Sequence, residues 1–155
     1  YEMTSSLVGS EMCIRDRKTV NHANKVYGQV WVVFDKDDYN DEQFNSAIDN
    51  CNYNVAWSNP NFELWLLAHF KKVNRYVSKD AVLQELSKEF QKSELGEYSK
   101  NDVNIFDKVT SKGKLHTAIK NCEYMEELNK DGQASQRNPM TKVYKIVDGL
   151  KEYLE

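Results

Sequence analysis

Two carboxylates, Asp35 and Asp37, have the identity and spacing of a metal-binding pair. They directly follow Val30–Phe34, a continuous β-branched and aromatic run that predicts a strand covered on both faces. Carboxylates at the carboxyl end of such a strand lie at the sheet edge where open α/β folds bind ligands. Hard oxygen ligands at that edge suit Mg²⁺. An ordinary solvated turn between strand and helix has the same pattern, so the pair alone does not establish a site.

The elements that must position this pair alternate between strand and helix. Residues 41–51 predict a helix, and Asn40 with Gln43 predicts its capping box. Residues 55–57 predict a second strand, and the Ser-Asn-Pro sequence that follows predicts an N-cap and first-turn proline for a helix through about residue 70. This order predicts an α/β fold in which a small parallel sheet is flanked by helices.

After Lys71 the pattern is helical throughout, which predicts a helical C-terminal half. Apolar residues recur at helical spacing in two stripes: Val82, Leu83, Leu86 and Phe90, then Leu115, Ala118, Ile119, Cys122, Met125 and Leu128. Asn138 and Pro139 predict the capped start of a last amphipathic helix that reaches Leu154. The polar segment 129–137 predicts a mobile loop.

Composition excludes several classes of protein. The chain has 155 residues, of which 40% are hydrophobic and 29% charged, as expected for one soluble globular domain. Its apolar runs are much shorter than the ~20 residues that span a bilayer, so we expect a cytoplasmic protein without membrane contact. Three cysteines without C-x-x-C spacing argue against a disulfide framework or a zinc site. The net charge of -3 neither predicts nor excludes nucleic-acid binding.

The first 17 residues form a segment of different character. SLVGSEMCIRDR at residues 6–17 has no helical or alternating period. It resembles a stretch that recurs in unrelated predicted proteins when sequencing adaptor is translated. We therefore expect residues 1–17 to be non-native, with the domain spanning 18–155, although a short natural arm is the alternative.

Three blocks of sequence resemble the RloB-like family in order and spacing. They are VVFDKDD at 32–38, AWSNPNFELWLLAHF at 56–70 and NPMTKVY at 138–144. The middle block is long and unusual in composition, which makes it the specific part of the resemblance. The similarity extends over roughly residues 20–155.

The resemblance implies a Toprim fold, a small parallel sheet between helices, with an Asp-x-Asp motif that binds Mg²⁺. It makes Asp35 and Asp37 the expected ligands of Mg²⁺, or alternatively Mn²⁺. Family members begin with a Glu-Gly-x-x-Thr-Glu-like motif whose first glutamate is the expected general acid or base. Glu11 has neither the following glycine nor a preceding apolar strand, so it is not assigned that role. We therefore expect this chain to be a partial, inactive form of the domain.

Three further residues are candidates for catalysis, each with a simpler alternative. Glu63 lies in a predicted first helical turn beside the metal edge, where it either supports a metal or interacts with the helix dipole. Ser58 either contacts phosphate or caps the helix. Lys100 belongs to a Tyr-x-Lys element that resembles one in the family; it either neutralises phosphate charge or lies in an exposed loop.

Other conspicuous residues favour structural interpretations. His69 is expected to be structural, and Phe62, Trp57 and Trp65 are expected to cover the sheet or fill the core rather than stack on bases. One basic cluster predicts either a surface for nucleic-acid backbone or a solvated face. Its members are Lys108, Lys112, Lys114 and Lys120.

The resemblance implies a parent protein that is a Mg²⁺-dependent nuclease-like enzyme of bacterial anti-phage defence, with DNA or RNA as substrate. The alternative is a non-catalytic interaction module that docks onto a protein of a restriction or abortive-infection system. Convergence of Asp35, Asp37 and Glu63 on one point would favour the enzyme.

Overall fold

The computed structural model describes residues 29–150, which form a small three-stranded sheet with helices around it. The elements in chain order are β1 (Trp31–Asp35), α1 (Asp41–Asp49), β2 (Asn54–Asn59), α2 (Glu63–Ala68), α3 (Lys79–Lys92), α4 (Ile105–Lys112), α5 (Leu115–Leu128), a 3-10 helix (Ala134–Gln136), β3 (Met140–Thr141) and α6 (Val143–Leu150). The predicted α/β fold with a helical C-terminal half is confirmed. The predicted non-native segment 1–17 and the predicted end of the last helix at Leu154 lie outside the described residues.

The predicted pairing of the first two strands is confirmed. β1 and β2 are adjacent and parallel, in a register that pairs Trp31 with Asn54 and Asp35 with Ser58. β3 then adds to β2 in the antiparallel direction, so the described sheet is mixed. Asp35 and Ser58 consequently lie at the same sheet edge.

One face of the sheet packs against α1 through aromatic rings. Phe44 of α1 meets Phe34 of β1 at a ring-centroid distance of 5.8 Å and Trp57 of β2 at 5.6 Å, both edge to face. Met140 is buried beside them. The predicted capping box fixes the start of α1, since Asn40 accepts a hydrogen bond from the Gln43 backbone and Gln43 accepts one in return.

The main core is formed by α2 together with α3, α5 and α6. All six residues of α2 are buried, because helices surround it. The predicted stripes supply its partners, except that Leu83 is half-buried and Leu128 is 46% exposed. Asn121 of α5 donates a hydrogen bond to the Ala68 carbonyl, which satisfies an otherwise unpaired group at the end of α2.

Both predicted proline-capped helix starts are wrong. Ser58 and Asn59 continue β2 because they pair with Thr141 and Met140 of β3, and α2 begins only at Glu63. The Asn138 side chain does not cap a helix either. It bonds the Val77 backbone N–H and carbonyl instead, and its amide donates to Asn59.

Two further predictions need correction. Val33 of β1 is 43% exposed, because β1 is the end strand of the described sheet and is not covered on both faces. The segment 129–137, expected to be a loop, contains the 3-10 helix and is anchored to α1. Asn45 of α1 donates to the Ser135 hydroxyl and accepts from the Ser135 backbone N–H.

No helix within residues 29–150 is both long and apolar enough to cross a membrane.

Candidate metal and catalytic site

Asp35 is the last residue of β1 and lies at the carboxyl end of the parallel pair. Its pKa is raised to about 6, chiefly because burial disfavours the charged carboxylate. A hydrogen bond from the Phe62 backbone N–H opposes that rise, whereas the nearby negative charges of Glu63 and Asp37 add to it. The edge therefore concentrates negative charge around a half-buried carboxylate.

Glu63, at the start of α2, is 4% exposed and has two partners from a distant loop. Tyr98 donates its hydroxyl to Glu63 Oε1 at 3.0 Å, and Lys100 Nζ lies 3.1 Å from the same oxygen. The pKa of Tyr98 is raised, first by burial and then by the adjacent carboxylate. Glu63 and Lys100, both predicted from the sequence, are thus brought together beside Asp35.

Asp37 lies nearby in a constrained turn. Its φ of 41° is in the left-handed region, and its backbone N–H donates to the Pro60 carbonyl at 2.9 Å. Its carboxylate pairs with Lys79 at 3.0 Å, and the same ammonium bonds both oxygens of Asp38 at 2.7 Å. These bonds to Asp38 and Asp37 raise the pKa of Lys79. One oxygen of Asp37, the second carboxylate of the predicted pair, is therefore paired with the ammonium of Lys79.

A cleft of about 390 Å³ opens beside this ion-pair cluster. Its wall includes Lys36, Asp37, Asp38, Lys79 and the exposed ring of Tyr76. The cleft gives solvent and solutes access to the carboxylates that follow β1.

Ser58 has a structural partner. Its side chain is completely buried, and its hydroxyl is 2.9 Å from the Thr141 hydroxyl of β3. A phosphate contact for Ser58 stays a prediction, and the observed bond favours a role in joining β2 to β3.

The remaining sequence candidates are distributed as follows. His69 is buried, with Nδ1 3.0 Å from the Trp65 carbonyl, as expected for a structural residue. Burial lowers its pKa. Trp57 and Trp65 are buried as predicted, whereas Phe62 is 37% exposed. In the basic cluster, Lys108 pairs with Asp102 at 2.5 Å.

The donor chemistry at the edge fits Mg²⁺. Residues 29–150 contain no group of three or more His, Cys, Asp or Glu side chains arranged to hold an ion. Asp35 and Glu63 nevertheless provide hard oxygen donors whose like charges a divalent cation would offset. Asp37 can join them through Oδ2, because Lys79 contacts only its Oδ1.

Sequence reasoning missed Lys79 and Tyr98 as members of the site. Lys79 is 42 positions from Asp37, and Tyr98 is 35 positions from Glu63. Tyr98 stood in the Tyr-x-Lys element that resembled the family, so its motif was a usable signal. Lys79 had none, because an exposed lysine in a first helical turn is unremarkable.

The fold and this edge together define an α/β protein that gathers carboxylates at the ends of two parallel strands. A family model described as RloB-like protein matches residues 5–150, and the chain belongs to that family. The match begins within residues 1–17, whose non-native origin stays a prediction. Neither the curated proteins nor the solved structures include a match to this chain.

Proposed function

We propose that this chain is part of a Toprim-type, Mg²⁺-dependent nuclease that acts on nucleic acid in the bacterial cytoplasm during anti-phage defence. The observation that carries the proposal is the proximity of Asp35 and buried Glu63 at the carboxyl end of parallel β1 and β2. Open α/β folds bind ligands at that position. Membership in the RloB-like family agrees with the proposal.

Each residue has a definable role in this proposal. Mg²⁺, when bound, supplies positive charge that polarises a phosphodiester. Asp35 would hold the ion together with Asp37, whose Oδ2 is not engaged by Lys79. Glu63 orients Lys100, and the exposed Lys100 ammonium can neutralise phosphate charge. Proton transfer is assigned to the glutamate motif expected upstream of Lys18.

A cleavage assay on plasmid DNA, single-stranded DNA and RNA, with Mg²⁺ or with EDTA, tests the proposal. We expect the 155-residue chain to be inactive, and a form extended by the native codons upstream of Lys18 to cleave only with Mg²⁺. Asp35→Asn and Asp37→Asn in that form should each lower the rate at least about a hundredfold, because charge stabilisation is lost. Asp107→Asn, in exposed α4, is the matched control.

Two results would contradict the proposal. Cleavage by the Asp35→Asn protein at the unsubstituted rate would remove the metal edge from the chemistry. Strong Mg²⁺-dependent cleavage by the 155-residue chain would remove the need for an upstream glutamate.

A non-catalytic interaction module is the second candidate. It is favoured by the bonds from Lys79 to Asp37 and Asp38, which balance these carboxylates without any metal. Under this hypothesis, Asp35→Asn should leave phage protection intact in bacteria that carry the gene. The nuclease proposal expects that protection to be lost.

A further inference from the structure

Tyr76 is the most exposed aromatic residue between residues 29 and 150. It is 75% exposed, and within that range its side chain makes no hydrogen bond and no contact with another ring or with a cation. A single exposed ring is common on protein surfaces, so exposure alone does not indicate a site. The anchoring of Tyr76 and the cleft that it borders distinguish it from an ordinary surface residue.

The chain that follows Tyr76 is held in place by hydrogen bonds. Asn138 accepts from the Val77 backbone N–H and donates to the Val77 carbonyl, both at 2.9 Å. The same amide donates to Asn59 of β2 at 3.2 Å, and Ser78 caps the start of α3. The Tyr76 ring therefore projects from a backbone that is fixed to the sheet and to α3, so little backbone freedom is lost when a ligand covers the ring.

Tyr76 borders the same cleft of about 390 Å³ as Asp37, the second carboxylate of the proposed metal pair. Two lysines and three aspartates line this cleft, which leaves one excess negative charge. A divalent cation at Asp37 would reverse that sign, and exposed Arg75 adds positive charge beside Tyr76. A strand whose phosphate binds at the metal edge would then pass along a cleft whose wall includes the Tyr76 ring.

We infer that Tyr76 stacks against a base of single-stranded nucleic acid, next to the phosphate that the metal edge binds. An aromatic face stabilises an unpaired base of any sequence, whereas the bases of a duplex already stack on their neighbours. The amides of Asn59 and Asn138 in the cleft are bonded within the protein, so stacking rather than reading of base edges is expected. This inference rests on the proposed function and narrows its substrate to an unpaired strand of DNA or RNA.

Fluorescence anisotropy of the whole 155-residue chain with labelled oligonucleotides tests the inference without cleavage. Single-stranded DNA, single-stranded RNA and a DNA duplex of one mixed sequence are compared with Mg²⁺ and with EDTA. The unsubstituted chain should bind both single strands more tightly than the duplex, and more tightly with Mg²⁺ than with EDTA. Tyr76→Ala should weaken binding to both single strands about tenfold, the loss expected for one stacked base, and leave duplex binding unchanged.

Three further variants separate stacking from other effects. Tyr76→Phe keeps the aromatic face and should bind single strands within about twofold of the unsubstituted chain. Tyr76→Leu keeps apolar bulk without the aromatic face and should bind as weakly as Tyr76→Ala. Phe106→Ala removes an exposed ring in α4 that does not line the cleft, so its binding should be unchanged. Thermal melts of the Tyr76 variants should coincide with that of the unsubstituted chain, because the ring is exposed.

The outcomes distinguish failure of the inference from failure of the proposed function. If Tyr76→Ala or Tyr76→Leu binds single strands like the unsubstituted chain, and that binding still requires Mg²⁺, the inference is wrong and the proposed function stands. Tighter binding to the duplex, unaffected by Tyr76→Ala, would also overturn the inference alone. If the unsubstituted chain binds no nucleic acid and the form extended upstream of Lys18 cleaves none, both are wrong. Should only that extended form bind, the same variants are measured in it.

Discussion

Burial and the neighbouring carboxylates both raise the pKa of Asp35. The pKa of this carboxyl is raised from 3.8 to about 6. The folded state therefore binds the proton more tightly than the unfolded state does. The contribution of this proton to the free energy of unfolding is complete below about pH 4 and is lost as pH rises through about 6.

A stability measurement at several pH values checks this sign. In metal-free buffer, the free energy of unfolding of the unsubstituted chain should fall by roughly 2 kcal/mol between about pH 4 and pH 7.5 relative to Asp35→Asn. Asparagine cannot ionise, so the variant lacks this contribution to the pH dependence. Urea denaturation of both proteins gives the comparison. Parallel pH profiles would show that Asp35 ionises as freely in the folded chain as in the unfolded one.

At the scale of elements, two helix starts differ in a way that can be measured. Asn40 caps α1 through its side chain, whereas Asn104, at the equivalent position of α4, makes no side-chain capping bond. α1 follows the site turn directly and packs on the sheet through Phe44. Its first turn therefore helps to fix the segment that carries Asp37.

We expect Asn40→Ala to lower the free energy of unfolding by about 1 kcal/mol, because the Gln43 backbone N–H loses the Asn40 side-chain oxygen. Asn104→Ala is the matched control and should change stability by only a few tenths of that. Chemical denaturation of the two variants provides the measurement. Equal losses would mean that the capping box of α1 does not contribute to stability.

At the scale of the whole molecule, the chain joins segments that are far apart in sequence. Ser58 and Thr141, 83 positions apart, share a buried hydrogen bond between β2 and β3. This contact connects the strand-rich part that carries the site with the final helical segment. It also explains why Ser58 is unavailable at the surface of the edge.

A double-mutant cycle tests this connection. Ser58→Ala or Thr141→Val alone should each lower stability by about 1–3 kcal/mol, since one buried hydroxyl loses its partner. The double variant should lose less than the sum, because it leaves no unpaired hydroxyl. The Val143 backbone N–H loses its bond to the Thr141 hydroxyl in both the Thr141→Val and the double variant, so that loss cancels in the cycle. Urea denaturation of the four proteins gives the coupling energy. Strict additivity would argue against the bond and make a surface role for Ser58 more attractive.

The sequence by itself determined the features that depend on near neighbours. These are the parallel strand pair with Asp35 at its edge, the capping box of α1, and the apolar stripes of α3 and α5. Strand and helix periods and caps are set within a few positions, so one sequence displays them. The position of Glu63 in the first turn of the helix that follows the second strand was predicted for the same reason.

Only the tertiary structure decided which distant side chains share the site and where β2 ends. β2 extends through Ser58 and Asn59 because β3 pairs with them, which overrides the local Ser-Asn-Pro signal for a helix start. Lys79 reaches Asp37 across 42 positions, and Tyr98 reaches Glu63 across 35. Contacts of this kind leave no period in a single sequence, because they depend on how the packed helices place their first turns and loops around the sheet edge.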